Sequence, residues 1–310
     1  MSAPAMTGLI HKALMYESEP EFVAAAARFI RDGEALGEPA VAVLGRRKID
    51  LLRAATSAGV EYIDADTWYT TPGATLGAYY RRVQEHRGPG RLRLIGEPVW
   101  AGRSPLQVRE WKRYEAVANL TFAACAAWIL CPYDTRALSD DIVTAASCTH
   151  PEVLVGGVSH RSAAYQDPAE FSRACDRTPL SVPGDDVAAL PIIPGGLTRV
   201  RGFLAAEAAL RGLGGERLED LVIAANEAAT NVVEHGGRRG RVRIWTDHGD
   251  LICDIVDEGG RLGDPLAGLR PPPPRATSGH GLWLIRQLCD LVEIRDEPGG
   301  VIVRMRMHLT

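Results

Sequence analysis

The sequence is short of the features that mark secreted, membrane-spanning or nucleic-acid-binding chains. Its six cysteines stand at positions 125, 131, 148, 175, 253 and 289. None forms a Cys-x-x-Cys pair, and no histidine cluster completes a zinc pattern. Reduced thiols in partly buried positions are the plain expectation, with a redox-sensing role for Cys131 or Cys148 as the alternative. No apolar run reaches the length of a transmembrane helix, and no secretory signal opens the chain. No basic run marks a phosphate-binding arm, and the net charge is −4. Together these absences predict a cytoplasmic protein with no membrane partner and no direct nucleic-acid partner. What is present is ordinary for globular domains with real cores: 46% hydrophobic and 24% charged residues. A length of 310 residues favours two domains, and no internal repeat is visible.

Residues 8–165 alternate helical and strand patterns. Glu21 to Arg31 is amphipathic, residues 39–45 and 127–131 read as buried strands, and Leu76 to His86 is helical. Strands separated by helices predict an α/β domain with a mostly parallel sheet covered on both faces. Residues 166–190 break that rhythm with Asp167-Pro168, Thr178-Pro179 and Val182-Pro183-Gly184, which is turn and linker chemistry. Residues 191–310 then run two helices (Leu197–Leu213 and Arg217–His235), two strands around Asp247-His248-Gly249-Asp250, a Gly- and Pro-rich loop, a helix from Gly281 to Cys289 and two final strands. This order predicts an α+β two-layer sandwich, with helices on one face of a largely antiparallel sheet.

The most informative stretch is Asn226 to Gly236. Glu227 and Asn231 lie four residues apart and so project from one face of an otherwise apolar helix. A buried carboxylate there needs a partner or a cation. Asp257-Glu258-Gly259-Gly260 and Ser278-Gly279-His280-Gly281-Leu282 supply what the stripe lacks, and together they read as a Mg-nucleotide site. Asn231 offers an amide oxygen to Mg²⁺. Asp257 can accept a hydrogen bond from an exocyclic amine such as adenine N6, and Gly259 lets the base approach the backbone. Gly279, His280, Gly281 and Leu282 open a helix whose free N–H groups favour phosphate. Glu227 remains to act on a proton. Plainer roles stand beside these. Glu227 could be a surface carboxylate, Asn231 a local cap and Asp257 a strand-ending turn residue. His235 fits a structural helix terminus, and His280 could merely fill its place between two glycines. The run Pro271 to Pro274 reads as a solvated loop or as a lid over a ligand.

At these residues the chain resembles the GHKL (histidine-kinase-like) ATPase superfamily, of the Bergerat fold type, over about residues 180–310. Asn226 to Gly236 looks like the N-box, Asp257-x-Gly259 like the first glycine box and Gly279-x-Gly281 like the second. The words Asn-Glu-Ala-Ala-Thr-Asn and Gly-His-Gly-Leu-Trp-Leu-Ile-Arg-Gln-Leu-Cys-Asp are most similar to the anti-sigma serine kinases of bacterial partner switching. The resemblance implies ATP and Mg²⁺ as cofactors, and a sigma factor and a STAS-type anti-anti-sigma protein as partners. It makes Glu227 the base that activates the acceptor hydroxyl and Asn231 the Mg²⁺ ligand. Related kinases often dimerise, although no coiled coil shows here. One departure is Gly300-Val301, where the family commonly has Gly-Thr and the threonine helps to hold adenine through water. No dimerisation helix with a phospho-accepting histidine precedes the N-box, which argues against a histidine autokinase. A nucleotide-gated binding module without kinase activity, and a sensor histidine kinase fragment, are the alternatives.

Residues 8–165 resemble a MEDS sensory domain of the kind found beside such kinases in actinobacterial regulators. The resemblance rests on residues 11–16, 95–104, 115–119, Cys131-Pro132-Tyr133-Asp134 and Thr149-His150-Pro151. It makes a three-layer RecA-like fold plausible. The loop Gly45-Arg46-Arg47-Lys48-Ile49-Asp50 stands where a phosphate loop would be but lacks a Gly-Lys-Ser/Thr ending, so no ATP hydrolysis is expected here. Glu115 and Asn119 copy the N-box spacing without glycine boxes and read as a packing and hydrogen-bonding pair. Glu97 and Arg103 are expected to form a mutual ion pair that holds a loop, or else to contact a ligand. His11, Tyr16 and Tyr133 are further candidates for that sensory pocket.

Overall fold

The computed structural model describes residues 8–57, 59–88, 90–184, 186–264, 266–272, 279–297 and 299–309. The chain forms two compact units, the first ending at Cys175 and the second holding Asp176–Thr310 together with Thr71–Ala74.

In the first unit, strand β1 (Ile10–Tyr16), helix α1 (Glu19–Glu34), β2 (Ala40–Leu44), α2 (Arg46–Ala55), β3 (Val60–Asp64), α3 (Ala65–Trp68), α4 (Pro72–Glu85, of which Thr75 onward belongs to this unit) and β4 (Leu92–Gly96) lead into α5 (Pro105–Thr121). Then come β5 (Ala127–Asp134), α6 (Asp140–Thr149), β6 (Glu152–Val155), β7 (Val158–Arg161) and α7 (Pro168–Cys175). The sheet order is β3-β2-β4-β5-β1-β6-β7. Every pairing is parallel except the edge hairpin β6–β7. The central strands read as unbroken apolar runs because both their faces are covered; all of Ala40–Leu44 is buried. One polar exception is Arg93 on β4, which is buried and pairs with Glu38 at 2.7 Å while stacking on Trp128.

In the second unit, β8 (Ala188–Ile192), α8 (Leu197–Leu210), α9 (Gly215–Glu234), β9 (Gly240–Asp247), β10 (Asp250–Glu258), α10 (His280–Leu288), β11 (Leu291–Glu297) and β12 (Gly300–His308) follow in order. The sheet β11-β12-β10-β9-β8 is antiparallel throughout. The β9–β10 hairpin turns through His248 and Gly249, both at positive φ, as a tight two-residue turn requires. Helix α9 buries Leu221, Ala224, Ala225, Ala228, Ala229 and Val232, a stripe at helical spacing that packs on the sheet. Alternation then decides the strands. Leu251, Cys253 and Ile255 of β10 face that core, and Asp254 faces the other way. There Asp254 is fully buried, held by Arg304 at 2.7 and 3.0 Å and by Arg243 at 2.7 Å.

The expected linker, residues 166–190, contains structure. Pro168 opens α7, a position where proline is tolerated, and α7 packs on α5. Residues 188–190 begin β8, whose Pro191 is accommodated on an edge strand.

Candidate functional site

The second unit carries a cleft of about 820 Å³ between α9, the end of β10, the loop that follows it and the start of α10. Asp257 continues the core-facing row of β10 and is the carboxylate in an otherwise apolar series. Its Oδ1 accepts the Gly237 backbone N–H at 2.8 Å. A Cβ on Gly236 or Gly260 would overlap the Asp257 carboxylate, so glycine at both positions lets the backbone close around it. Val301 lies directly across the ladder from Asp257 and lines the same cleft. Ile255, Ile294, Val303, Val232 and Leu282 complete apolar walls of a kind that suits a flat base.

Glu227 and Asn231 are half-buried on the flank of α9 and converge on the first turn of α10. A Cβ built on Gly281 would stand 3.2 Å from Glu227 Oε2 and 3.5 Å from Asn231 Nδ2. Glycine there lets the polar pair meet the helix backbone. Gly279 caps α10 at φ +86°, a left-handed conformation suited to glycine, and no side chain caps the helix. The N–H groups that open α10 are therefore left to solvent or to a ligand. Gly259 also has positive φ, with open space where a side chain would be. His235 is the exposed C-cap of α9 at the cleft rim, and His280 is the exposed first residue of α10. Asn231, Asp257, Gly279, Gly281 and Leu282 all line the cleft. Arg261 and Arg270 line it too, and sequence reasoning passed over them; their signal is two cations within the loop after Asp257. Pro271 and Pro272 also border it, whereas Pro273, Pro274 and Ser278 lie outside the described residues.

The donor set fits a magnesium nucleotide. An amide oxygen, a carboxylate, an uncapped helix N-terminus and a cleft of suitable volume are all present. A methyl group at Gly281 would fill part of this cradle.

The sensory candidates of the first unit separate into different places. His11 and Tyr16 are five residues apart on β1 and therefore point to opposite faces of the sheet. On one face, Tyr16 donates to Glu97 at 3.1 Å, and Lys48 reaches both Tyr16 and Glu97. Burial pushes the Tyr16 phenol up, helped by Glu97. Burial also raises the Glu97 carboxyl, and Lys48 draws it back down. The cation of Glu97 is thus Lys48, not Arg103. Arg103 instead donates to the carbonyls of Val99 and Tyr69 and stacks on Trp111 at 4.2 Å; burial lowers it to about 10, so it stays charged at neutral pH. The loop after β2 has no phosphate-loop form: Arg46 and Arg47 open α2, and with Lys48 they pair to Asp64, Glu19 and Glu97. Lys48, Glu97 and Asp134 border a cleft of about 470 Å³ at the C-terminal ends of the parallel strands, where open α/β sheets bind ligands.

On the other face, His11 joins Glu115 and Asn119 of α5, Cys131 of β5 and His150, the C-cap of α6. Tyr133 packs edge-on to the His150 ring at 5.7 Å, and burial raises its phenol. Asn119 Nδ2 donates to the Glu115 carbonyl at 3.4 Å, and the side chains of both residues meet His11. Of the cysteines, Cys131, Cys253 and Cys289 are buried.

Comparison with known proteins gives matches in both parts of the chain. Residues 10–151 match the model of the MEDS family, the methanogen/methylotroph DcmR sensory domain. Residues 191–307 match that of the histidine kinase-like ATPase domain. The serine-protein kinase RsbW of Halalkalibacterium halodurans is 33% identical over 98 residues, which cover 27% of this chain and 59% of that kinase. The chain thus spans less than two thirds of the length of this relative. The solved RsbU and RsbW domains of a Mycobacterium tuberculosis protein share 20% identity at a TM-score of 0.30, covering 39% of this chain and 32% of that one. No helix among the described residues is long and apolar enough to cross a membrane. The chain therefore joins an N-terminal MEDS domain to a C-terminal histidine kinase-like ATPase domain, the latter homologous to the serine-protein kinase RsbW.

Proposed function

We propose that the protein is a cytoplasmic anti-sigma regulator. In this reading its C-terminal domain binds Mg-ATP and phosphorylates a serine or threonine of a STAS-type anti-anti-sigma protein. Its N-terminal domain, a RecA-like sensory module within residues 8–165, governs whether a sigma factor is held. The observation that carries the kinase reading is the convergence of Glu227 and Asn231 on Gly281 at the mouth of the cleft. Mg-ATP would supply the phosphoryl group and neutralise its charge. Asn231 would offer its amide oxygen to the metal, and Asp257, fixed by the Gly237 N–H, would accept the exocyclic amine of the base. The first N–H groups of α10 would meet the phosphates, with Arg261 and Arg270 as nearby cations. Glu227 would take the proton of the acceptor hydroxyl. Phosphoryl transfer needs mainly positioning and charge neutralisation, so these groups suffice. Similarity to a protein named as a serine-protein kinase supports the same reading.

A second reading, a nucleotide-gated binder without chemistry, is favoured by Val301, which cannot donate to a water beside Asp257. The two are separated by mixing the full chain with a cognate STAS protein and labelled ATP. Transfer is expected with wild type, and a fall of about 10²- to 10⁴-fold with Glu227→Ala. Transfer that is undiminished in the variant would remove Glu227 from the mechanism; wild type that binds nucleotide without transferring phosphate establishes the binder.

A further inference from the structure

The buried polar cluster of the first unit plays no part in the kinase reading, and its geometry is unusual for a core. His11, Glu115, Cys131 and His150 are each at most 4% exposed. They each offer one donor atom, and these atoms all lie within 4.8 Å of one another. They come from β1, α5, β5 and the end of α6, so the tertiary fold alone brings them together.

The hydrogen bonds around the cluster fix which atoms face inward. Asn119 Nδ2 donates to the carbonyls of Thr149 and Ala116 at 2.7 and 3.1 Å. Its Oδ1 is therefore left to accept the His11 Nδ1–H at 3.0 Å. His11 Nε2 then presents a lone pair to Cys131 Sγ at 3.4 Å and to Glu115 Oε2 at 3.6 Å. His150 repeats the device. Its Nδ1 lies 2.8 Å from the Ala146 carbonyl, which can only accept, so Nε2 carries the lone pair. That Nε2 is fully buried, has no hydrogen-bond partner and points at Glu115 Oε2 from 3.6 Å. A carbonyl or carboxamide on the far nitrogen of each ring is the support that metal-bound histidines require.

We infer that His11, Glu115, Cys131 and His150 form a binding site for one divalent transition-metal ion of the zinc class. Two imidazole nitrogens, a thiolate and a carboxylate suit such an ion and fit calcium or magnesium poorly. Ordinary zinc bond lengths around a tetrahedron imply donor-to-donor edges of about 3.3 to 3.6 Å. Four of the six donor pairs among His11, Glu115, Cys131 and His150 stand at 3.4, 3.6, 3.6 and 3.7 Å, and the two pairs of His150 with His11 and Cys131 lie within 4.8 Å. Binding the ion releases the Cys131 thiol proton to solvent and leaves a thiolate on the metal. The void beside the cluster, about 10 Å³, has room for a single water at most. Four protein donors and so little space make this a closed, structural site.

The test uses the full chain, stripped with a chelator and reconstituted with Zn²⁺ or Co²⁺. One ion per chain is expected. The Co²⁺ form should show a thiolate-to-metal charge-transfer band in the near ultraviolet, with intense visible bands of tetrahedral cobalt. The charge-transfer band should vanish in Cys131→Ser and survive in Cys125→Ser. Asn119→Ala, which removes the support of His11 but no donor, should weaken binding by about 10- to 100-fold. Wild-type protein that takes up no stoichiometric ion overturns the assignment, and this measurement needs no variant to fold. A charge-transfer band that persists in Cys131→Ser overturns it equally.

Discussion

Glu227 and Asn231, one turn apart on α9, both reach the backbone of α10 at Gly281. A methyl group there would stand 3.2 Å from Glu227 Oε2 and 3.5 Å from Asn231 Nδ2. The added carbon falls on two polar side chains and not on the apolar core, so Gly281→Ala should fold but misplace both groups. Its affinity for Mg-ATP is expected to drop by about tenfold, or 1.4 kcal/mol, in equilibrium titrations. Wild-type affinity in the variant would show that the helix opening is not part of the site.

Val301 pairs with Asp257 across the β10–β12 ladder and lines the cleft beside it. Val301→Thr keeps the shape and adds a hydroxyl. One further hydrogen bond to the base, direct or through water, should tighten nucleotide binding by about 0.5–1.5 kcal/mol, roughly two- to tenfold. Unchanged or weaker affinity in the folded variant would place the base elsewhere.

Asp254 is the shared anion of Arg304 and Arg243 on the sheet face that turns away from the helices. Asp254→Ala leaves the buried Arg304 guanidinium with only Ser181 as a hydrogen-bond partner and the half-buried Arg243 without its carboxylate. A loss of about 3–5 kcal/mol is expected for the second unit, read from its own transition in urea. A loss below about 1 kcal/mol would mean that solvent reaches the arginines.

Burial holds the Glu97 carboxyl above its ordinary value, while Lys48 and Tyr16 draw it down. A folded value above the unfolded one makes ionisation disfavour folding, and this cost grows as pH rises from the unfolded value through the folded one. Lys48→Met removes the main compensation and moves the folded value further up. Its destabilisation should therefore be smaller near about pH 4 than near about pH 7. Equal losses at both pH values, measured by urea unfolding, would contradict this account of the pair.

The proposed nucleotide site is read from the sequence because its chemistry sits in three short segments. Glu227 and Asn231 need only helical spacing to share a face, and Gly279 and Gly281 announce a helix opening. Arg261 and Arg270 were not legible, since cations in a loop look solvated until the loop is placed. The Glu97–Lys48 pair was missed because proximity in sequence favoured Arg103, whereas the sheet brings β4 beside the start of α2. Parity alone could have separated His11 from Tyr16, which lie an odd number of residues apart on one strand. The cluster of His11, Glu115, Cys131 and His150 has no local signature: its donors come from four elements and meet only through the crossovers of a parallel sheet. Residues 168–175 and 188–190 read as linker because of the prolines around them, yet packing on α5 and pairing with β9 order them.

The most direct test of the nucleotide site is the equilibrium binding of a non-hydrolysable ATP analogue to the full chain, with and without Mg²⁺, for wild type and Asn231→Ala. The account predicts Mg²⁺-dependent binding by wild type and a loss of that dependence in Asn231→Ala, with affinity at least about tenfold weaker. Absence of binding by wild type at millimolar nucleotide, or an Asn231→Ala variant that keeps the full magnesium effect, would contradict it.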